Sequence, residues 1–384
     1  MQSERENGEL LLGCLLYVAG SAIQYVSPAY LVDLGTRFGI NEAQMGSVSA
    51  AENIGIGLAS LLALWWNGRL DRKLLARVAV ITCIVGDAAS FFCRDFHLLI
   101  ALRCVTATFG EGTLFILAFV VIGQTKNPDR LLGMGLSAVV LFTSAILSAA
   151  GPINRTPIGS GWLIPMAAVA LFVLPALRWM PDRSVSLERR VRAPVGTDAN
   201  WLAIIAVVGM GIWSAAPGAF WTFAGAAATT RNLSDSEVGT ALAVGNAVGL
   251  LGSAIAAWQG NRWNRVWPTA IGTLCLCLSV AAFQMTTHVA GLTATLAAFN
   301  IFWNYAIVYQ MAMVLSLDRT GKATAGISAA QMIGFAGGGF LSGFAIVARG
   351  FSALTIIVAA FAVIGLIVLM IGFRRNAGSL AEAI

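Results

Sequence analysis

Apolar residues in this chain come in long, nearly unbroken runs separated by short polar breaks. Neither the strict alternation of a half-buried strand nor the narrow stripe of a surface helix is present. Twelve runs fall at 10–32, 45–66, 74–93, 97–123, 131–153, 160–180, 201–228, 237–259, 266–286, 289–317, 323–348 and 351–373. Each is about 20 residues or longer, the length that an ~30 Å hydrocarbon core requires of a helix. The pattern predicts an all-α membrane protein with twelve transmembrane helices; a closed barrel would alternate along each segment. Only one break is long, PDRSVSLERRVRAPVGTDAN at 181–200. It predicts a six-helix bundle at 1–180, a cytoplasmic linker at 181–200 and a second six-helix bundle at 201–384. The opening MQSERENGEL is acidic and no small-residue cleavage site follows, so the first run reads as a retained span.

Composition agrees: 58% of residues are hydrophobic and only 11% charged, against about 25% charged in soluble domains. Counted by alternate loops, 18 Lys and Arg fall on the side that holds both termini and 5 on the other, with Arg103 inside a span. The positive-inside bias therefore predicts cytoplasmic termini in a plasma membrane or bacterial inner membrane. On this reading the net charge of +6 marks topology and implies no nucleic-acid partner. The six cysteines all lie in apolar spans, and Cys275 and Cys277, two apart, point to different helix faces. They predict neither a disulfide framework nor a metal site. No cofactor motif is present.

The second span is written twice. Laid on Gly239–Arg265 at an offset of 193, Gly46–Arg72 matches at nine of 27 positions without a gap. The matches include Asn53/Asn246, Trp65/Trp258, Arg69/Arg262 and Arg72/Arg265. Pro28 and Pro217 occupy the first and seventh spans; His97 and His288 open the fourth and tenth. Parallel repeats of this kind build transporters with a site between the halves. The loop Asn67-Gly68-Arg69-Leu70-Asp71-Arg72-Lys73 resembles the Gly-x-x-x-Asp-Arg-x-x-Arg signature of the major facilitator superfamily, with the acid one position early and the basic run shortened. The second-half copy has Asn264 where Asp71 stood. Arg103 and the Gly110-Glu111-Gly112 that follows resemble the fourth-span signature of organic-anion and lysolipid members, with the Arg-to-Glu spacing one residue longer. Gly151-Pro152 is similar to the core of an antiporter signature. The resemblance spans essentially the whole chain. It implies two pseudo-symmetric bundles of six helices, a monomer, a cavity among spans one, four, seven and ten, and a cytoplasmic latch at Gly68, Asp71 and Arg72.

Four ionisable residues lie well inside spans, all in the first half: Glu52, Asp87, Arg103 and Glu111. Such residues face a cavity or a partner. Helix rise puts Glu52, Asp87 and Arg103 in one layer about 10 Å below the outer face, with Glu111 about 12 Å deeper. Two readings stand for the layer: an internal ion pair between Arg103 and Asp87 or Glu52, or a carboxyl that exchanges a proton as the cavity opens alternately. Glu111, deepest and without an evident fixed partner, is the expected proton carrier. Glu52 either tunes the layer or snorkels outward. Asn53 and Asn246 are expected to bond across helices where the halves meet.

The second half is neutral and aromatic, with Trp213 and Trp221 in the seventh span and Asn300, Trp303 and Asn304 in the tenth. With Tyr17, Gln24, Tyr25 and Arg103 they are the expected substrate-binding residues, suited to an amphipathic organic solute such as an anion or a drug-like compound. The primary expectation is a proton-coupled secondary transporter whose partners are that solute, protons and the lipid bilayer. A lipid or lysolipid transporter, or a non-transporting sensor on the same fold, is the alternative. An integral membrane enzyme would need clustered acids or histidines, and the two histidines lie far apart in the chain. No phosphate-binding Gly-x-x-x-x-Gly-Lys loop occurs, which excludes an ATP-driven pump.

Overall fold

The computed structural model describes residues 2–66, 69–125, 127–181, 201–260, 262–318 and 322–381; Gly68 and residues 182–200 of the expected linker lie outside them. Twelve helical rods follow one another, with no strand among the described residues. In the first half they are α1 (Gln2–Phe38), α2 (Glu42–Trp66), α3 (Arg72–Phe92), α4 (Phe96–Ile122), α5 (Pro128–Ser148) and α6 (Leu163–Ala176). In the second they are α7 (Trp201–Thr229), α8 (Asp235–Gln259), α9 (Val266–Met285), α10 (Val289–Leu317), α11 (Lys322–Arg349) and α12 (Ala353–Ala381). Eleven are long and apolar enough to cross a membrane; α6, even with the 3-10 turn that ends it at Trp179, is shorter. The chain is a multi-pass membrane protein.

The expected boundaries need two local corrections. The fifth run breaks at Ala149, and Gly151-Pro152 sits in a separate short helix, Ala150–Asn154. The eighth run is interrupted at Gly249, the junction of two helical pieces.

The two halves meet along α2 on α11, α5 on α8 and α1 on α7. These seams depend on small residues that let backbones approach where lipid offers no hydrophobic drive. A Cβ on Gly46 would lie 2.7 Å from the Gly339 carbonyl oxygen, and one on Gly225 would run into the Pro28 carbonyl. Ser49 and Thr222 hydroxyls bond at 3.1 Å beside them, and Asn154 donates to Asp235 at 3.0 Å. All these contacts lie toward the end where α1, α5 and α7 finish. The opposite end, where those helices start, holds Arg72, Lys73, Arg77, Arg130 and Arg265 and is called the basic end below.

The repeat is visible in atomic detail. Asp71 Oδ1 accepts the backbone N–H of Lys73 and caps α3. Asn264 Oδ1 accepts that of Val266 over the same two-residue spacing, from the position before Arg265, the N-cap residue of α9. Either side chain can accept this bond, which is why the acid can become an amide in the second copy.

Candidate transport site

The four intramembrane ions converge on one point. Arg103, fully buried in α4, donates from Nε to Glu52 Oε1 of α2 at 2.7 Å, from Nη1 to Asp87 Oδ1 of α3 at 2.7 Å, and from Nη2 to Glu111 Oε1 at 2.5 Å. The three acids are 1%, 2% and 4% exposed. Glu52 therefore does not snorkel outward; its carboxylate points into the bundle because Arg103 supplies the charge that the bilayer cannot. Both acids named as alternative partners for Arg103 are bound at once, and Glu111, expected to have no fixed partner, is the third.

The backbone of α4 explains why Glu111 was misplaced. Eight residues along a regular helix turn a side chain by about 80° from its starting face. Residues 106–111 are wound as a π-helical segment instead, and one inserted residue brings that angle back to about 20°. The extra residue between Arg and Glu is absorbed by this segment, and the extended arginine spans the remaining two turns. Gly110 and Gly112 permit the crowding around it: a Cβ at Gly112 would lie 2.6 Å from Ala59 Cβ of α2, and one at Gly110 2.7 Å from Cys83 Sγ of α3. Glu111 Oε2 is buried and has no hydrogen-bond partner among the described residues.

A cavity of about 560 Å³ separates the halves, within the range of small-molecule sites. Besides α1, α4, α7 and α10, it is lined by α2, α5, α8 and α11. It reaches Leu132 and Thr324 in the first turns of α5 and α11, so it extends toward the basic end; the seams around Gly46 and Gly225 close the other end. Tyr17, Gln24, Tyr25, Trp221, Trp303 and Asn304 line it.

Three expected binding residues do not. Arg103 is enclosed by its carboxylates on the bundle side of α4. Trp213 is fully buried and donates from Nε1 to Thr273 Oγ1 of α9 at 2.9 Å, packing inside the second half. Asn300 donates to the Leu296 carbonyl at 2.9 Å and sits against Gly249 of α8. Asn53, Gln331 and Phe335 do line the cavity and were missed. Ser328 and Gln331, three apart in an otherwise apolar run, carried a usable signal.

Local bonds set the walls. Gln24 Nε2 donates to Asn53 Oδ1 at 3.0 Å, while Trp221 Nε1 reaches across from α7 to the Gln24 carbonyl at 3.1 Å. Asn53 thus bonds across helices at the wall between the halves, but to a partner within its own half. Its counterpart Asn246 does cross, donating to Thr143 Oγ1 of α5 at 3.1 Å. Trp303 lies between Trp221 and Phe335, 6.4 Å and 5.9 Å away by ring centroid. At the basic end, Asp71 is occupied in capping and Arg72 is buried.

No protein-family model matches the chain. Its backbone is similar to solved transporters over nearly its full length. A point mutant of the nucleoside transporter NupG superposes with a TM-score of 0.74 at 11% identity, covering 95% of this chain and 100% of that one. A D-xylose-proton symporter gives 0.71 at 14% identity, covering 95% and 97%. A bacterial homolog of the human lysosomal transporter Spinster, in an inward-facing and unoccupied conformation, gives 0.63 at 16%, covering 97% and 95%. At such identities the likeness is one of fold. Two six-helix bundles, a repeated second span and a cavity between the halves all agree with it, and the chain has the fold of the major facilitator superfamily.

Proposed function

We propose that this protein is a proton-coupled secondary transporter that moves a small, amphipathic organic solute by alternating access. The observation that carries the reading is the pairing of two features. One is a cavity between two bundles that reaches the first turns of α5 and α11 at the basic end and is closed by glycine seams at the other. The other is a buried group of three carboxyls on a single guanidinium within one bundle. With every carboxyl ionised the group carries a net charge of −2 in a setting that disfavours net charge. Protons taken up there bring it toward neutrality, and Oε2 of Glu111 is the acceptor position left open.

On this reading, rocking of the bundles changes the exposure of the group, so protonation and cavity access are linked. Arg103 holds Glu52 and Asp87 in place while Glu111 exchanges the proton. Tyr30 and Cys83, both buried, are the other titratable side chains facing the group, from α1 and α3. With the basic end in the cytoplasm, as the charge bias of the loops favours, the cavity faces inward, and Asp71 and Arg72 stand at the mouth that a latch would close, the third latch residue, Gly68, lying outside the described residues. The solved proton symporter and nucleoside transporter lend the reading fold-level support only.

Two measurements test it. Purified protein in liposomes is expected to accumulate solute under an imposed pH gradient and to leave dye-labelled lipid unscrambled; scrambling without solute uptake would favour the lipid-handling alternative. In a cysteine-free background, cysteine at Asn41 is expected to react with an impermeant thiol reagent added to cells, and cysteine at Ser184 to resist it. The reverse labelling would invert the orientation.

A further inference from the structure

We infer that the solute accepted by the cavity is an uncharged, ring-bearing molecule with amide-type hydrogen-bonding groups. The inference rests on the transport reading and names its substrate class. Among the described lining residues there is no Asp, Glu, Lys, Arg or His. The four ions of the first half are all committed to one another behind the wall of α4, with Arg103 wholly buried and satisfied on three sides. A charged solute that loses its water on occlusion needs a counter-charge or a dense set of bonds, and this cavity offers no counter-charge. The anion reading of the sequence depended on Arg103 and falls with it.

What the cavity does offer is flat surface and neutral polar groups. Trp221, Trp303 and Phe335 present adjoining aromatic faces, Trp303 and Phe335 with ring planes 29° apart and Trp221 tilted by 55° from Trp303. A planar ring stacks on such a face without carrying charge. Around it, Trp303 Nε1 and the Gln331 amide have no hydrogen-bond partner among the described residues. Asn304 spends one of its two amide hydrogens on the Asn300 carbonyl at 2.9 Å and keeps the other, with its Oδ1, for a solute. Donors and acceptors are therefore present together, which matches a primary amide or a ring lactam better than a carboxylate (acceptor only) or an ammonium (donor only).

The test uses matched probes that differ in charge and little in shape. One set is indole-3-acetamide, indole-3-acetate and tryptamine; the other is benzamide, benzoate and benzylamine. Binding to the full-length protein in detergent is read by thermal shift and by calorimetry at constant ionic strength. The neutral member of at least one set is expected to bind, and to bind at least tenfold more tightly than both charged members. Trp303→Phe, which keeps the ring and removes the N–H, is expected to weaken that amide about tenfold while the melting temperature of the free protein stays within a few degrees. A charged member binding as tightly as its amide overturns the inference, as does failure of both amides to bind. The transport reading fails separately: it falls if a bound amide is not carried into liposomes, and it survives if a charged solute proves to be the one that is carried.

Discussion

Arg103→Leu is expected to be the most damaging single substitution in the membrane interior. It would leave Glu52, Asp87 and Glu111 buried together with no cation among them. Breaking one buried pair in this way costs about 3–5 kcal/mol, and here three acids lose their partner at once. The folded yield in detergent is expected to drop several-fold below wild type. Replacing the acids in the same background, as Glu52→Gln with Asp87→Asn and Glu111→Gln, is expected to restore much of the yield, because the stranded charges are gone. Arg103→Lys is expected to rescue only partly, since one ammonium cannot hold three carboxylates in the fan that Nε, Nη1 and Nη2 form. Size-exclusion profiles and melting curves check this directly. A wild-type yield for Arg103→Leu would show that the cluster contributes little to the fold.

The second large effect is on coupling. Glu111→Gln is expected to bind solute as well as wild type, with no dependence on pH, and to exchange it between equilibrated compartments. It is expected to lose gradient-driven accumulation, lowering the accumulation ratio to about one. A glutamine keeps the bond from Arg103 Nη2 through its amide oxygen and removes the only carboxyl oxygen of the group that is buried and unpartnered. Glu52→Gln is expected to do less, since its carboxylate is engaged by Arg103 Nε at 2.7 Å. Asp87→Asn is expected mainly to reduce folded yield. The opposite pattern, accumulation intact in Glu111→Gln and lost in Glu52→Gln, would move the proton to α2.

The membrane architecture was open to reading from the chain because its signals are one-dimensional. Apolar runs of spanning length, one long polar break and the recurring Asn, Trp and Arg of the second span need no tertiary information, and the same side-chain bond to the backbone two residues on, at Asp71 and Asn264, is the repeat seen in atoms. The site was less legible, for geometric reasons. That Arg103 meets Glu52 and Asp87 could be inferred from shared depth. That it also meets Glu111 could not, because the π-helical segment at 106–111 rewinds the phase that a regular helix assigns. Which side of α4 carries Arg103 is likewise a matter of packing, and it decides that the guanidinium serves the bundle and not the cavity. Trp213 and Asn300 were displaced by the same ambiguity: in a span that is apolar all round, periodicity does not say which face looks at the other half. Gln331 shows the converse, a polar residue whose place in an apolar run already pointed to a cavity.

The most direct test of coupled alternating access is proton movement driven by the solute itself. Wild-type protein is reconstituted with a pH-sensitive dye in the lumen, equal pH on both sides and the membrane potential clamped, and a tightly binding amide of the matched sets is added outside. The account predicts a change in lumenal pH that begins with solute entry, scales with its amount, and is absent in Glu111→Gln although solute still crosses. Solute entering wild-type vesicles with no change in lumenal pH would contradict it.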